Sequence, residues 1–166
     1  HACKDIYSTQ KLNRSQIVVA CNPYYANIPA PFKDSLFLID VINNNPNIKL
    51  IMESDNHFSL GGFSKDYDAV FVTESEKIYE HPKIFNTYLI NPFTSQIINQ
   101  LSTVGGDVFY SQASDSYIFS CSVDANSKTC TQNTISMINA NDLTSAPQTY
   151  VSSDSLENIK FFKEIF

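Results

Sequence analysis

The residues able to do acid–base or ligand chemistry are few and scattered. Histidine occurs only as His1, His57 and His81, and none stands in a His-Glu-x-x-His or other short metal-ligand spacing, so all three read as ordinary loop histidines. No Gly-x-Ser-x-Gly elbow surrounds any of the 20 serines, and the 4 glycines form no phosphate-cradling loop. Nucleophilic hydrolases and nucleotide binding are disfavoured on that ground. Carboxylates spaced by two recur as Glu53 with Asp55, Asp66 with Asp68, and Glu74 with Glu76. On a strand each pair would share one face, an arrangement that suits glycosidic chemistry or calcium. Asp66 and Asp68, however, stand before an apolar segment as Asp115 does further on, and read as turn residues. No cofactor is expected, since calcium has no specific motif here.

Aromatic residues give the binding candidates. Tyr24 and Tyr25 lie in the Pro-rich stretch Asn22-Pro-Tyr-Tyr-Ala-Asn-Ile-Pro-Ala-Pro31, where a packed strand is disfavoured and exposed rings can meet a protein or a sugar. His57 and Phe58 are read as part of another connecting segment, and Phe161, Phe162 and Phe166 add rings near residue 166. Cys121 and Cys130 flank Ser122-Val-Asp-Ala-Asn-Ser-Lys-Thr129, whose middle is turn-forming, so two antiparallel strands would bring them into a disulfide. Cys3 and Cys21 form a second expected pair, tying the N-terminal segment to the first strand. A sequon at Asn13-Arg14-Ser15 points to glycosylation of Asn13. Disulfides and a sequon favour an extracellular or secretory-lumen setting.

The elements that would position these residues recur. Leu36-Phe-Leu-Ile-Asp40, Thr87-Tyr-Leu-Ile-Asn91 and Ile135-Ser-Met-Ile-Asn139 begin 51 and then 48 residues apart. Before each comes a partner, Ile17-Val-Val-Ala-Cys21, Ala69-Val-Phe-Val-Thr73 and Tyr117-Ile-Phe-Ser-Cys121. After each comes another strand-like stretch, Ile48–Ile51, Ile97–Leu101 and a weaker Gln148–Val151. Gly-Gly pairs in Leu60–Phe63 and Val104–Asp107 precede the second and third units. Four short strands in about 50 residues is the blade period of a β-propeller, in which blades stacked around an axis bury each other's apolar faces. A β-sandwich would not return the same pattern at this spacing. The expected architecture is all-β, with a segment at residues 1–14, blade repeats over 15–153, and residues 154–166 starting a further blade or forming a short helix. Leu38, Leu89 and Met137 are expected to be equivalent and buried between blades.

The segment Thr87-Tyr-Leu-Ile-Asn-Pro-Phe-Thr-Ser-Gln-Ile-Ile98 resembles the inner-blade hairpin of the YVTN, SMP-30 and quinoprotein-like propellers, in which a strand ending in Asp-Pro enters a Thr-Gly turn. Looser copies occupy residues 36–51 and 135–151. Asn91 stands for the usual Asp and Ser95 for the usual Gly, while Asp40 keeps the acid but is followed by Val41 rather than Pro.

Composition narrows the function classes. Hydrophobic residues make up 43% and charged residues 17%, which excludes intrinsic disorder. With 16 Asn, 20 Ser and only 4 Gly, Asn and Asp are expected to carry most turns. A net charge of −6 gives no basic footprint for nucleic acid. No run approaches the roughly 18 apolar residues of a membrane span, and residues 1–20 lack the signal-peptide order, so a soluble, processed chain is expected. A repeat scaffold without a convergent catalytic set reads as a non-enzymatic interaction module, binding another protein, a glycan or copies of itself within a larger assembly. The rival is a propeller enzyme of lactonase, quinoprotein or glycosidase type, with part of its site in further blades. A closed ring of four blades, completed by N-terminal strand material, is the alternative to assembly.

Overall fold

The computed structural model describes residues 5–11, 16–22, 33–42, 45–77, 81–131 and 133–151, and every regular element among them is a β-strand. These stretches are rich in Val, Ile, Phe, Tyr and Thr, which fit a pleated surface, and are separated by Asn, Asp, Ser and Pro, which favour turns. The first sheet is an antiparallel meander of β1 (Asp5–Lys11), β2 (Gln16–Asn22), β3 (Asp34–Ile42) and β4 (Asn45–Ser54). The second repeats it with β5 (His57–Phe63), β6 (Val70–Ser75), β7 (Ile84–Asn91) and β8 (Gln96–Leu101). The third contains β9 (Val104–Ser111), β10 (Ser116–Val123), β12 (Thr134–Asn139) and β13 (Gln148–Val151). Its short β11 (Cys130–Thr131) pairs with the far end of β10. The three repeat units of the sequence are therefore three antiparallel sheets, four-stranded in the first two and with the short β11 added in the third, and the weak Gln148–Val151 signal is a real strand.

Cross-strand register assigns the faces. Val18 lies opposite Leu38, Phe71 opposite Leu89, and Ile118 opposite Met137. Val18 and Leu38 pack with Phe58, Leu60, Val70, Val72 and Ile90 in a core between the first and second sheets. Phe71 and Leu89 pack with Val104, Val108, Tyr117, Phe119 and Ile138 between the second and third. By alternation, Ile118 and Met137 project from the other face of the third sheet. Leu38, Leu89 and Met137 thus hold equivalent positions, but only the first two are buried; Met137 is half-buried because no described sheet lies over its face. One correction concerns alignment: the counterpart of Val18 and Ile118 is Phe71, one residue beyond the Val70 that the sequence pattern paired with them. A slip of one exchanges the two faces of a strand, and Val70 faces the first sheet.

Neighbouring sheets approach most closely along their first strands. β5 packs on both β1 and β9, whereas the last strands β4, β8 and β13 make no extended contact with one another. The Gly61–Gly62 pair explains how β5 and β9 come so close. A Cβ on Gly62 would stand 2.3 Å from the Val108 carbonyl oxygen, and one on Gly61 2.6 Å from that of Gly106. Any side chain there would push two backbones apart.

The turns only partly follow the expectation that Asn and Asp supply them. Left-handed backbone occurs at Asp115 and Asn133, but also at Tyr67, His81, Ser95 and Lys128. Asn and Asp act mainly through their side-chain oxygens, which accept backbone N–H bonds. Asn91 Oδ1 accepts from Phe93 and Thr94, Asp124 Oδ1 from Asn126 and Ser127, Asn139 Oδ1 from Asn141, and Asp142 Oδ1 from Thr144. Asp40 departs from this series, since its Oδ2 accepts from Gln16 Nε2 at 2.9 Å across the sheet.

Candidate interaction surfaces

Two polar clusters tie neighbouring sheets together at opposite ends of their strands. The first forms where β4 passes into β5. Asp34, only 1% exposed at the start of β3, has Oδ2 2.9 Å from His57 Nδ1 and accepts the Phe58 N–H at 3.3 Å. Lys77 Nζ, just beyond β6, forms an ion pair with Asp34 Oδ1 at 3.0 Å. A buried carboxylate would be costly alone; here one cation and two further groups of the second sheet hold it.

Glu74 lies close by. Its Oε1 accepts from the Ser54 hydroxyl and from Asn56 Nδ2 at 3.1 Å, and its Oε2 from the Tyr88 hydroxyl at 2.8 Å. Burial pushes the Glu74 carboxyl up, yet the hydrogen bonds from Ser54, Asn56, Tyr88 and Asn86 outweigh it and hold the group below its ordinary value. Burial, followed by the bond to Glu74 and its charge, pushes the Tyr88 hydroxyl up to about 12.

A histidine held by a carboxylate is the orienting half of a nucleophilic relay. The hydroxyls of this region are engaged elsewhere: Ser54 donates to Glu74 and accepts the Asn56 N–H at 3.0 Å, Ser75, opposite His57 in the register, donates to the Glu76 carbonyl at 3.4 Å, and Ser35 donates to Glu53 at 3.5 Å. The arrangement closes a joint between two sheets.

The second cluster joins the second and third sheets. Asp115 accepts from the Tyr110 hydroxyl at 2.7 Å and from the Asn141 amide, while Lys65 Nζ lies 3.6 Å from it and donates to Asn141 Oδ1 at 2.6 Å. The Lys65 N–H donates to the Tyr117 hydroxyl at 2.9 Å. The hydrogen bonds from Tyr110 and Asn141 hold the Asp115 carboxyl below its ordinary range, and the same contact with Asp115 raises Tyr110.

The sequence candidates distribute as follows. His57 and Phe58 lie in β5, not in a connecting segment; Phe58 is 1% exposed in the core, and His57 serves the Asp34 cluster. The carboxylate pairs do not converge. Asp66 and Asp68 occupy a turn, with Asp68 accepting from Ser64; Glu74 and Glu76 part company, Glu76 pairing with Lys83 at 3.3 Å. Among the described residues no group of three His, Cys, Asp or Glu is placed to hold a metal ion. Tyr24, Tyr25, Phe161, Phe162, Phe166, Asn13 and Cys3 lie outside the described residues.

Cys121 and Cys130 are joined, with Cα atoms 5.3 Å apart. Cys21 is also disulfide-bonded and is buried. The Cys121–Cys130 hairpin reaches the second sheet: Ile84 packs with Cys121 and Val123, and the Ile84 N–H donates to the Lys128 carbonyl at 2.7 Å. The disulfides are consistent with an extracellular setting.

Sequence reasoning missed Asp34, Lys77 and Lys65, because each meets partners from a different sheet and no local spacing marks that meeting, and it missed Tyr110, whose bond to Asp115 spans five positions across the β9–β10 turn. It also missed the apolar rows on the outer faces. On the third sheet Phe109, Ile118 and Met137 form one row and Ile135 with Tyr150 another. No helix among the described residues is long and apolar enough to cross a membrane. No family model matches the chain, and neither the curated proteins nor the solved structures contain a match to it.

Proposed function

We propose that this chain is a β-propeller-type module, a run of three blades, that acts extracellularly by binding another macromolecule and not by catalysis. The observation that carries the reading is the fan: three antiparallel sheets, packed face on back, close along their first strands, with glycine letting β5 approach β9, and apart at their last strands. Blades around an axis have this shape, and a sandwich of parallel layers does not. The resemblance of Thr87–Ile98 to propeller hairpins points the same way, and the Cys121–Cys130 disulfide supports the extracellular setting. The clustered polar residues are consumed in joining sheets, which favours binding over reaction.

The experiment is a paired assay on the oxidised chain. Binding to itself and to panels of extracellular proteins and glycans is measured beside turnover of lactones, glycosides and quinone-dependent alcohol oxidation. Saturable binding without turnover is expected. Turnover abolished by substitution of His57 or Glu74 would establish the enzymatic alternative instead.

A further inference from the structure

The outer faces of the first and third sheets carry matching apolar patterns. On the third sheet Phe109, Ile118 and Met137 are half-buried in one row, and Ile135 lies beside Tyr150, which is 47% exposed. On the first sheet the register sets Ile17, Ile39 and Ile48 in one row and Val19, Phe37 and Leu50 in the next. Val19 is buried there, while Ile48 and Leu50 are 60% and 40% exposed at the outer margin. Apart from Lys11, which the register sets opposite Ile17 at the β1 edge, these rows contain no charged residue.

What covers such faces is shown twice within the molecule. The forward face of the first sheet, through Val18 and Leu38, is covered by the back of the second, through Val70, Val72 and Ile90. The forward face of the second, through Phe71 and Leu89, is covered by the back of the third, through Tyr117, Phe119 and Ile138. In that same sense the forward face of the third sheet calls for the back of another four-stranded sheet. Among the described surfaces the one that has this pattern is the back of the first sheet. Among the described residues the two lie on opposite sides of the second sheet and make no extended contact.

We infer that two copies of this chain associate head to tail, the forward face of the third sheet of each covering the back of the first sheet of the other. Six sheets then close one ring, within the span of about four to eight blades that propellers use. The inference rests on the propeller reading above, but it adds the partner and the two surfaces.

The test is sedimentation velocity on the oxidised chain over a wide concentration range. A species of twice the chain mass that grows no further is expected. Ile118→Asp on the third sheet and Leu50→Asp on the first should each weaken it by at least about a hundredfold, because each buries an unpaired charge. Mixing the two variants leaves one of the two interfaces wild-type, so the mixture should associate more tightly than either variant alone. Tyr150→Asp, at an exposed position, serves if Ile118→Asp does not fold, and circular dichroism of each dilute variant checks the fold. A dimer insensitive to Leu50→Asp would mean that third sheets pack on each other and would overturn the inference. So would mass that rises without limit, or a monomer at every concentration. Solution scattering keeps that failure separate from failure of the propeller reading: a monomer with the fan profile removes only the ring, whereas a layered sandwich profile removes both.

Discussion

The second and third sheets are built from the same pattern but live in different surroundings. Every residue of β6 is buried, from Val70 to Ser75, whereas β10 alternates between buried Tyr117, Phe119 and Cys121 and half-buried Ile118, Ser120 and Ser122. Among the described residues the second sheet is covered by a sheet on both faces and the third on one. Sequence follows this difference, because a strand buried on both faces reads as a continuous apolar run and one buried on a single face reads as an alternation. Polar residues entering the second sheet are consequently paired with each other: Thr73 and Thr87 hydroxyls lie 3.1 Å apart across β6 and β7, and the Thr87 hydroxyl donates to the Val104 carbonyl at 2.7 Å. Stacking, more than composition, decides which residues of a repeat become core.

The comparison breaks most sharply where the two sheets meet. Gly62→Ala places a methyl group against the Val108 carbonyl, a backbone atom that cannot rotate away, and should cost about 3 kcal/mol or more by chemical denaturation. A cost under about 1 kcal/mol would mean that β5 and β9 do not approach as described. The next effect lies at the hairpin that the third sheet extends over the second. Replacing Cys121 and Cys130 together by Ala should lower stability by about 3 kcal/mol, the loop-closure value for a crosslink of this span, and unfolding of the double variant against the oxidised wild type measures it.

A smaller effect is pH-dependent and belongs to the joint between the first and second sheets. Glu74 has its folded pKa below the ordinary value of 4.5, so its contribution is fully present above that value and is lost as pH falls through the folded pKa. Glu74→Gln should reduce stability at neutral pH and flatten its decline below about pH 4.5; an unchanged acid profile would remove Glu74 from the joint. The Tyr88 hydroxyl has the opposite sign. Raised from 10.0 to about 12, it contributes below pH 10 and is lost between the two values, a window that the same titration series can reach. The smallest effect is a gain. Ser95 holds a φ of 62° in the β7–β8 turn, and its buried hydroxyl has no hydrogen-bond partner. Ser95→Gly relieves both and should stabilise by about 0.5 kcal/mol, with a shift to lower stability counting against the turn assignment.

Much of the fold was legible in the sequence, and for physical reasons. Period-two apolar strands, turn residues and a spacing near 50 are local signals, and each of the three units became a sheet. The Ser95 position could be recognised from the glycine that similar hairpins carry there. Facing was harder. One residue of slip exchanges the sides of a strand, and the paired positions stand 20 apart for Val18 and Leu38, 18 for Phe71 and Leu89, and 19 for Ile118 and Met137, so a fixed offset between the two strand series puts Val70 where Phe71 belongs. The candidate site was the least legible part. Phe58 looked like a loop aromatic because His57 and its polar neighbours mask the start of β5. Asp34, His57 and Lys77 lie 20 to 43 positions apart in the chain and meet only once two sheets are stacked.

The equivalence of Leu38, Leu89 and Met137 is the claim from which the fan, the exposed face and the ring all descend. It is tested by measuring the unfolding free energies of Leu38→Ala, Leu89→Ala and Met137→Ala at low and at high protein concentration. The first two should lose about 3 kcal/mol at any concentration, as buried leucines do. Met137→Ala should lose less than about 1 kcal/mol in dilute solution and appreciably more once copies associate, because its face is then covered. A Met137→Ala loss as large as that of Leu89→Ala in dilute solution, with no dependence on concentration, would contradict the account.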